Sequence, residues 1–174
     1  MVTLKGERLQ LRALEPEDLE FILQIENDEN IWEVSQTQEP YSRFVIKEYL
    51  ENSFKDIYEV KQLRLVVATL EGEDIGLIDL FDFDPRNNKV GVGVLILDKE
   101  RGKNYASEAM NLLLSFAFKN LRVHQIYANV LEDNEASIRL FEKVGFKRTC
   151  TKKDWVLEDG VYKNELLFQL IKSF

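Results

Sequence analysis

The spacing of apolar residues divides this chain into segments of two periods. Arg8-Leu9-Gln10-Leu11-Arg12 alternates polar and apolar, the period of a strand with one buried face. Glu15-Pro16-Glu17-Asp18 then brings proline and acids to where a helix would begin, and Leu19, Ile22, Leu23 and Ile25 continue it at helical spacing. Residues 30–42 read as a polar loop, after which Phe44, Ile46, Tyr49, Leu50 and Phe54 predict a second helix. From residue 64 the pattern turns to strands, at 64–70, 75–83 and 90–97, separated by Glu71-Gly72-Glu73-Asp74 and Pro85-Arg86-Asn87-Asn88, which is an antiparallel meander. Ala106, Ala109, Met110, Leu113, Leu114 and Ala117 return to helical spacing, and 123–131 reads as a strand that must run parallel to 90–97. Asn134 caps a shorter helix that Gly145 ends, and 146–157 with 161–171 form a hairpin turning at Glu158-Asp159-Gly160. The order βαα-βββ-αβ-α-ββ predicts an α/β (α+β) fold. Its seven strands form a mixed, mostly antiparallel sheet flanked by about four helices. No repeat, linker or low-complexity stretch intervenes, so 1–174 is expected to be a single domain.

Composition narrows what such a domain does. A chain of 174 residues buries most of its apolar surface without disulfides or metal. The single Cys150 suits a reducing compartment and a place in the core, and no Cys or His cluster predicts a metal site. The one histidine, His124, starts a strand without an acidic sequence neighbour, which favours a structural role. Met1 leads directly into Thr3-Leu4-Lys5-Gly6-Glu7 with neither the basic nor the apolar segment of a leader, and no apolar run nears the ~20 residues that span a bilayer. A cytoplasmic location and no membrane partner are expected. The net charge of −8 disfavours nucleic acid, whose binding depends on phosphate neutralisation, and suits a cationic partner such as an amine.

One segment carries candidate chemistry of the opposite sign. Arg101-Gly102-Lys103-Asn104-Tyr105-Ala106 joins a strand to a helix start. Free N–H groups at a helix N-terminus, its dipole and the two cationic side chains together predict a phosphate there. Downstream, Asn134-Glu135-Ala136-Ser137-Ile138-Arg139-Leu140-Phe141-Glu142-Lys143-Val144-Gly145-Phe146 opens another helix after a strand. The two segments together resemble the coenzyme A segments of GNAT N-acetyltransferases.

That resemblance implies a sheet whose central parallel pair splays apart to admit acetyl-CoA as co-substrate. Arg101, Asn104 and Ala106 hold the places of the family's pyrophosphate loop: arginine or glutamine, two residues, glycine, one residue, then glycine or alanine. Asn104 replaces the glycine, and asparagine tolerates the left-handed backbone. The resemblance assigns Leu95, Ile96 and Leu97, Arg101, Gly102, Lys103, Asn104, Tyr105, Ala106 and Ser107, then Asn134, Ser137, Phe141 and Lys143, to the coenzyme. Asn134 and Ser137 would touch its pantetheine or phosphate portions and Lys143 its nucleotide side.

Two familiar catalytic groups are missing. Many family members carry tyrosine where this chain has Phe141, which has no proton for a departing thiolate. Many also place a glutamate on the strand at 90–97, whereas Val90-Gly91-Val92-Gly93-Val94 has no ionisable side chain. Asp79, on the predicted strand face of Ile75, Leu77, Phe81 and Phe83, is then the candidate that binds or deprotonates the amine. Gly91 and Gly93 permit close backbone approach, and a backbone donor near Leu95 would polarise the thioester carbonyl.

Within the family, Asp79, Glu39-Pro40-Tyr41 and residues 154–162 resemble the branch of spermidine and ribosomal-protein N-terminal acetyltransferases. Glu26, Asp28, Glu29, Glu33 and Glu39 would suit a polyamine, with Glu33, Glu39 and Asp79 as its candidate contacts. The expected reaction is direct acetyl transfer to a primary amine, with a polyamine such as spermidine ahead of a protein N-terminus. A non-catalytic coenzyme A-binding module is the alternative from another class, and the sequence leaves open whether the chain forms a homo-oligomer.

Overall fold

The structure, a computed structural model, describes residues 4–28 and 39–172. It divides into two compact units, Leu14–Lys55 and the remainder, Met1–Ala13 with Asp56–Phe174.

The smaller unit is helical. A 3-10 turn at Pro16–Asp18 leads into α1, Leu19–Glu26, and α2 spans Arg43–Glu51. Asp18 Oδ2 accepts from the Glu15 amide at 2.8 Å, and the Ser42 hydroxyl caps α2 at the Val45 amide, 3.2 Å away. Ile22 and Ile25 of α1 and Ile46 and Leu50 of α2 are buried, each pair at the spacing that puts both residues on one helix face. Glu20 and Arg43 form an ion pair between the helices. Residues 30–38 of the expected loop at 30–42 fall outside the described residues, as does Glu29, and Glu33 lies among them.

The larger unit carries a seven-stranded sheet. Its strands are β1 (Leu9–Ala13), β2 (Leu63–Thr69), β3 (Asp74–Asp84), β4 (Lys89–Ile96), β5 (Gln125–Leu131), β6 (Lys147–Glu158) and β7 (Val161–Ile171), in spatial order β1-β2-β3-β4-β5-β7-β6. Every neighbouring pair is antiparallel except β4–β5. Three further helices are described: α3 (Ile57–Val60), α4 (Tyr105–Lys119) and α5 (Glu135–Lys143). The single turn α3 was not anticipated, although Asp56 and Glu59 carry its signature: the Asp56 carboxylate accepts from the amides of Tyr58 and Glu59. The hairpin turn lies where expected, with left-handed Asp159 and Gly160 supplying the backbone twist of a two-residue connection.

Ile78 and Leu80 of β3, Val90 and Val92 of β4, Ile126, Ala128 and Val130 of β5, and Leu166 and Phe168 of β7 join Ala109, Met110, Leu113 and Ala117 of α4 in one core. Ile75 and Phe83 belong to this core too, although Leu77 does not. The expectation that Asp79 shares one face with Ile75, Leu77, Phe81 and Phe83 is therefore corrected. Register shifts at Val67/Ala68 on β2 and between Phe81 and Asp84 on β3, where Asp82 is left-handed, reverse the alternation at both ends of the strand. Only Leu77 and Phe81 keep the side of Asp79. Cys150, expected in the core, is exposed, because β6 is the sheet's edge strand and a register shift falls between Arg148 and Cys150.

Candidate active site

The parallel pair that joins the two halves of the sheet is short. β4 and β5 are in register only at Lys89–Gln125, Val90–Ile126 and Gly91–Tyr127. Beyond Gly91, β4 runs on to Ile96 and β5 to Leu131 without pairing, so a wedge opens towards their carboxyl ends. An opening at this place in a sheet is where ligands gather. It is bounded by two helix starts, since β4 leads to α4 and β5 to α5.

Strand alternation decides which backbone groups face the wedge. The Leu97 amide donates to the Ile75 carbonyl at 2.9 Å, and the Leu95 carbonyl lies against Gly76, so residues 95 and 97 direct their polar groups towards β3. The amides of Val94 and Ile96 then point into the wedge. The donor anticipated near Leu95 thus belongs to its neighbours. Gly76 is what allows β3 so close, because a Cβ there would stand 2.1 Å from the Leu95 carbonyl oxygen.

The loop from Arg101 to Asn104 is shaped by two left-handed residues, Gly102 at φ 78° and Asn104 at φ 64°. Asn104 precedes α4 but does not cap it with its side chain. The first i to i−4 bond of α4 runs from the Glu108 amide to the Asn104 carbonyl at 3.3 Å, which leaves the amides of Tyr105, Ala106 and Ser107 outside the helix's own ladder. The Asn104 Oδ1 atom instead accepts from Lys143 Nζ at 2.9 Å, tying the loop to the end of α5. Nothing lies within 4 Å of where a Gly102 Cβ would stand, so the loop is open on that side. These features fit a bound pyrophosphate: amides at a helix start, an open approach and a lysine held alongside.

The charges on the loop are less free than the sequence suggested. Arg101 pairs with Asp98 at 2.9 Å and also donates to the Ile96 carbonyl at 3.3 Å. Lys103 pairs with Glu100 at 2.8 Å, and that carboxylate holds the ammonium above its ordinary pKa. Both acids stand three residues before their partners, a signal that was present in the sequence. On the other side, Arg8 packs its guanidinium 4.9 Å from the Tyr105 ring centroid, donates to the Lys103 carbonyl and pairs with Glu108 at 2.9 Å. Burial pushes the Glu108 carboxyl upward, but hydrogen bonds from the Arg8 amide and side chain and the Leu9 amide outweigh it, so its pKa is lowered. A groove of about 670 Å³ follows one face of α4 from Asn104 and Ser107 past Asn111 and Ser115 to Lys119, with Lys143 at its edge.

On the opposite bank, Asn134 Oδ1 accepts from the Ser137 amide at 3.1 Å, so both predicted residues sit at the α5 start with one bond between them. Phe141 is 5% exposed; it stacks on Phe168 and meets Phe146 edge-on at 5.1 Å. Its ring is core packing first.

Away from the core, Asp79 lies opposite Gly93, and its Oδ1 atom would be 3.4 Å from a Cβ there. Asp79 faces Arg64 at 3.9 Å, an ion pair too long for a direct hydrogen bond, with both side chains about one-fifth exposed (20% and 23%). Glu39, the other described candidate for the acceptor, is exposed and belongs to the helical unit. The residues that sequence reasoning did not single out are Phe81 and Tyr127. Phe81 lies over Gly91 and meets Tyr127 edge-on at 6.0 Å. Their signal was the alternation of Tyr127 with Ile126 and Ala128.

The chain matches the acetyltransferase (GNAT) domain model over residues 8–147. It belongs to the GNAT acetyltransferase family. Over 166 residues it is 33% identical to a spermidine N(1)-acetyltransferase of Vibrio cholerae, covering 95% of this chain and 94% of that one. A crystal structure of spermidine N-acetyltransferase from Vibrio cholerae with CoA and spermine superposes with a TM-score of 0.85 at 28% identity, over 95% of this chain and 96% of that chain. A dodecameric structure of the Vibrio cholerae enzyme in an intermediate state gives 0.79 at 26% identity, over 95% of each chain. This GNAT protein is an acetyl-CoA-dependent acetyltransferase acting on an amine, and its splayed strands are those the sequence resemblance anticipated.

Proposed function

We propose that this acetyltransferase moves the acetyl group of acetyl-CoA directly to a primary amine of a polyamine such as spermidine. The observation that supports it most is the wedge beyond Gly91 and Tyr127, bounded by an uncapped helix start on one bank and an acid on the face opposite the core. The similarity to a spermidine enzyme over nearly the whole chain supports the acceptor class. The coenzyme's thioester supplies an activated acetyl group and a thiolate leaving group. Amides of Gly102 to Ser107 would bind its pyrophosphate, with Arg101, Lys103 and Lys143 as counter-charges. Leu95, Ile96 and Leu97 on one bank and Asn134 and Ser137 on the other would border the pantetheine, with Phe141 behind them.

An amide of Val94 or Ile96 would hold the carbonyl oxygen as negative charge develops, a contribution of ~3 kcal/mol for a well-placed donor. The amine arrives protonated, since an alkylammonium of pKa ~10.4 is neutral in about one molecule per thousand at pH 7. Asp79 would hold that ammonium and take its proton through water. The dodecameric relative and the exposed Trp155, Leu157, Val161 and Tyr162 of the β6–β7 strands support a homo-oligomer, which sedimentation velocity measures.

Thiol release from acetyl-CoA against spermidine, spermine, simple amines and N-terminal peptides tests the acceptor. The polyamines are expected to give the highest kcat/KM. Preference for peptides would transfer the reading to a protein N-terminus, and Asp79→Asn with an unchanged pH profile would remove Asp79 from proton handling.

A further inference from the structure

Three strands carry one row of side chains across the apex of the wedge. Phe81 of β3 is directly opposite Gly91 of β4, and Gly91 is in register with Tyr127 of β5. Because Gly91 has no side chain, the Phe81 ring lies over its backbone: a Cβ there would stand 2.3–2.7 Å from three ring atoms. The ring thereby reaches Tyr127, meeting it at an interplanar angle of 85°. The row faces away from the core, to which Ile78, Leu80, Ile126 and Ala128 turn, and both rings are half-buried. From Gly91 onward this side of β4 offers Gly91, Gly93 and Leu95 and no charge, Lys89 preceding them at the start of the strand. In the neighbouring row the Asp79 carboxylate stands beside Gly93, two residues beyond the last paired residue. Burial raises the Tyr127 phenol pKa and the charge of Asp82 raises it further, so the phenol keeps its proton. Neutral aromatic faces with carboxylates nearby attract an alkylammonium while also packing its methylenes.

Resting on the reading of an amine acceptor, we infer that Phe81 and Tyr127 form an aromatic wall that, together with Asp79, binds a cationic alkylamine and determines acceptor specificity. The wall replaces a charge on β4, where Phe81 fills the space that a side chain at position 91 would need. It binds through ring faces, so Tyr127→Phe keeps it and Tyr127→Leu removes it.

Initial rates of thiol release are to be measured for wild type, Tyr127→Leu, Tyr127→Phe and Phe81→Leu, with urea unfolding to establish that each variant folds. Tyr127→Leu is expected to raise the spermidine KM about tenfold, Phe81→Leu about threefold, with the acetyl-CoA KM changed by less than about twofold. Tyr127→Phe should stay near wild type. The wall is overturned if both leucine variants leave the amine KM unaltered, if the acetyl-CoA KM moves equally, or if Tyr127→Phe is as impaired as Tyr127→Leu. If wild type acetylates peptides and no polyamine, the polyamine reading fails separately, and the same variants are judged on the peptide KM. If no amine in the panel turns over, calorimetric titration of spermine in the presence of coenzyme A decides: weaker binding by Tyr127→Leu supports the wall, and equal or absent binding overturns it.

Discussion

Replacing Gly76 by alanine probes the contact that sets one bank of the wedge. The added methyl would stand 2.1 Å from the Leu95 carbonyl oxygen, 3.0 Å from Ile96 Cδ1 and 3.1 Å from Ile96 Cα. The closest atom is backbone and cannot rotate away. Relief requires β3 and β4 to separate by roughly 1 Å, since non-bonded heavy atoms rest at ~3–4 Å, which stretches adjoining ladder bonds such as Leu97 N to Ile75 O beyond bonding range. Two lost bonds at about 1 kcal/mol each and about 1–3 kcal/mol of overpacking outweigh the ~0.4–1 kcal/mol gained from a stiffer unfolded chain. The net expectation is ~2–4 kcal/mol of destabilisation, or a fall of ~1–2 M in the urea midpoint for an m-value of ~2 kcal/mol/M. Gly93→Ala is the control, because its methyl would be 3.4 Å from Asp79 Oδ1 and 4.0 Å from Phe81, ordinary contacts. It should stay within about 1 kcal/mol of wild type. Displacing Leu95 and Ile96 should also raise the acetyl-CoA KM for Gly76→Ala. Equal midpoints for wild type and Gly76→Ala, or equal losses in the two alanine variants, would refute the close-approach argument.

Glu108→Gln removes the charge that gathers Arg8 and Leu9 onto α4 and should cost about 1 kcal/mol at pH 7. Because the folded-state pKa is lowered from 4.5, this stabilisation is present above pH 4.5 and is lost as pH falls through the folded value, so urea midpoints of variant and wild type should converge in acid. Lys143→Ala frees Asn104 and removes a cation from the groove; the acetyl-CoA KM should rise about fivefold to tenfold, less at high salt, with the amine KM unchanged. Phe141→Ala empties a buried site between Phe146 and Phe168 and should lower stability by about 3–5 kcal/mol in denaturant titration, a loss too large for a ring serving only as a coenzyme contact.

The order of elements was legible because the forces that set it are local. Asn134 caps α5, Gly145 ends it with a left-handed backbone, and Glu158-Asp159-Gly160 turns the last hairpin, each through atoms a few residues apart. The bend of the loop from Arg101 to Asn104 was legible for the same reason, since Gly102 and Asn104 turn the backbone into a helix start. The pairing of Arg101 with Asp98 and of Lys103 with Glu100 was local too, and three-residue charge spacing would have revealed it.

What periodicity could not decide is which way an interrupted strand turns. Ile75 and Phe83 share the core with Ile78 because register shifts at both ends of β3 reverse the alternation, and a shift on one strand is fixed by its partners' hydrogen bonds. The length of the β4–β5 pairing is likewise set between strands separated by a whole helix in sequence, so only the assembled sheet ends it at Gly91 and Tyr127. The lysine of α5 reaching Asn104 and the Phe81 ring crossing Gly91 to Tyr127 follow from that assembly. The sequence by itself determined the elements, the bent loop before α4 and the absence of charge on the middle of β4, which are properties of neighbouring residues. Tertiary structure decided where the wedge opens and which side chains meet at its apex, because those depend on register and on the space a glycine leaves for residues far away along the chain.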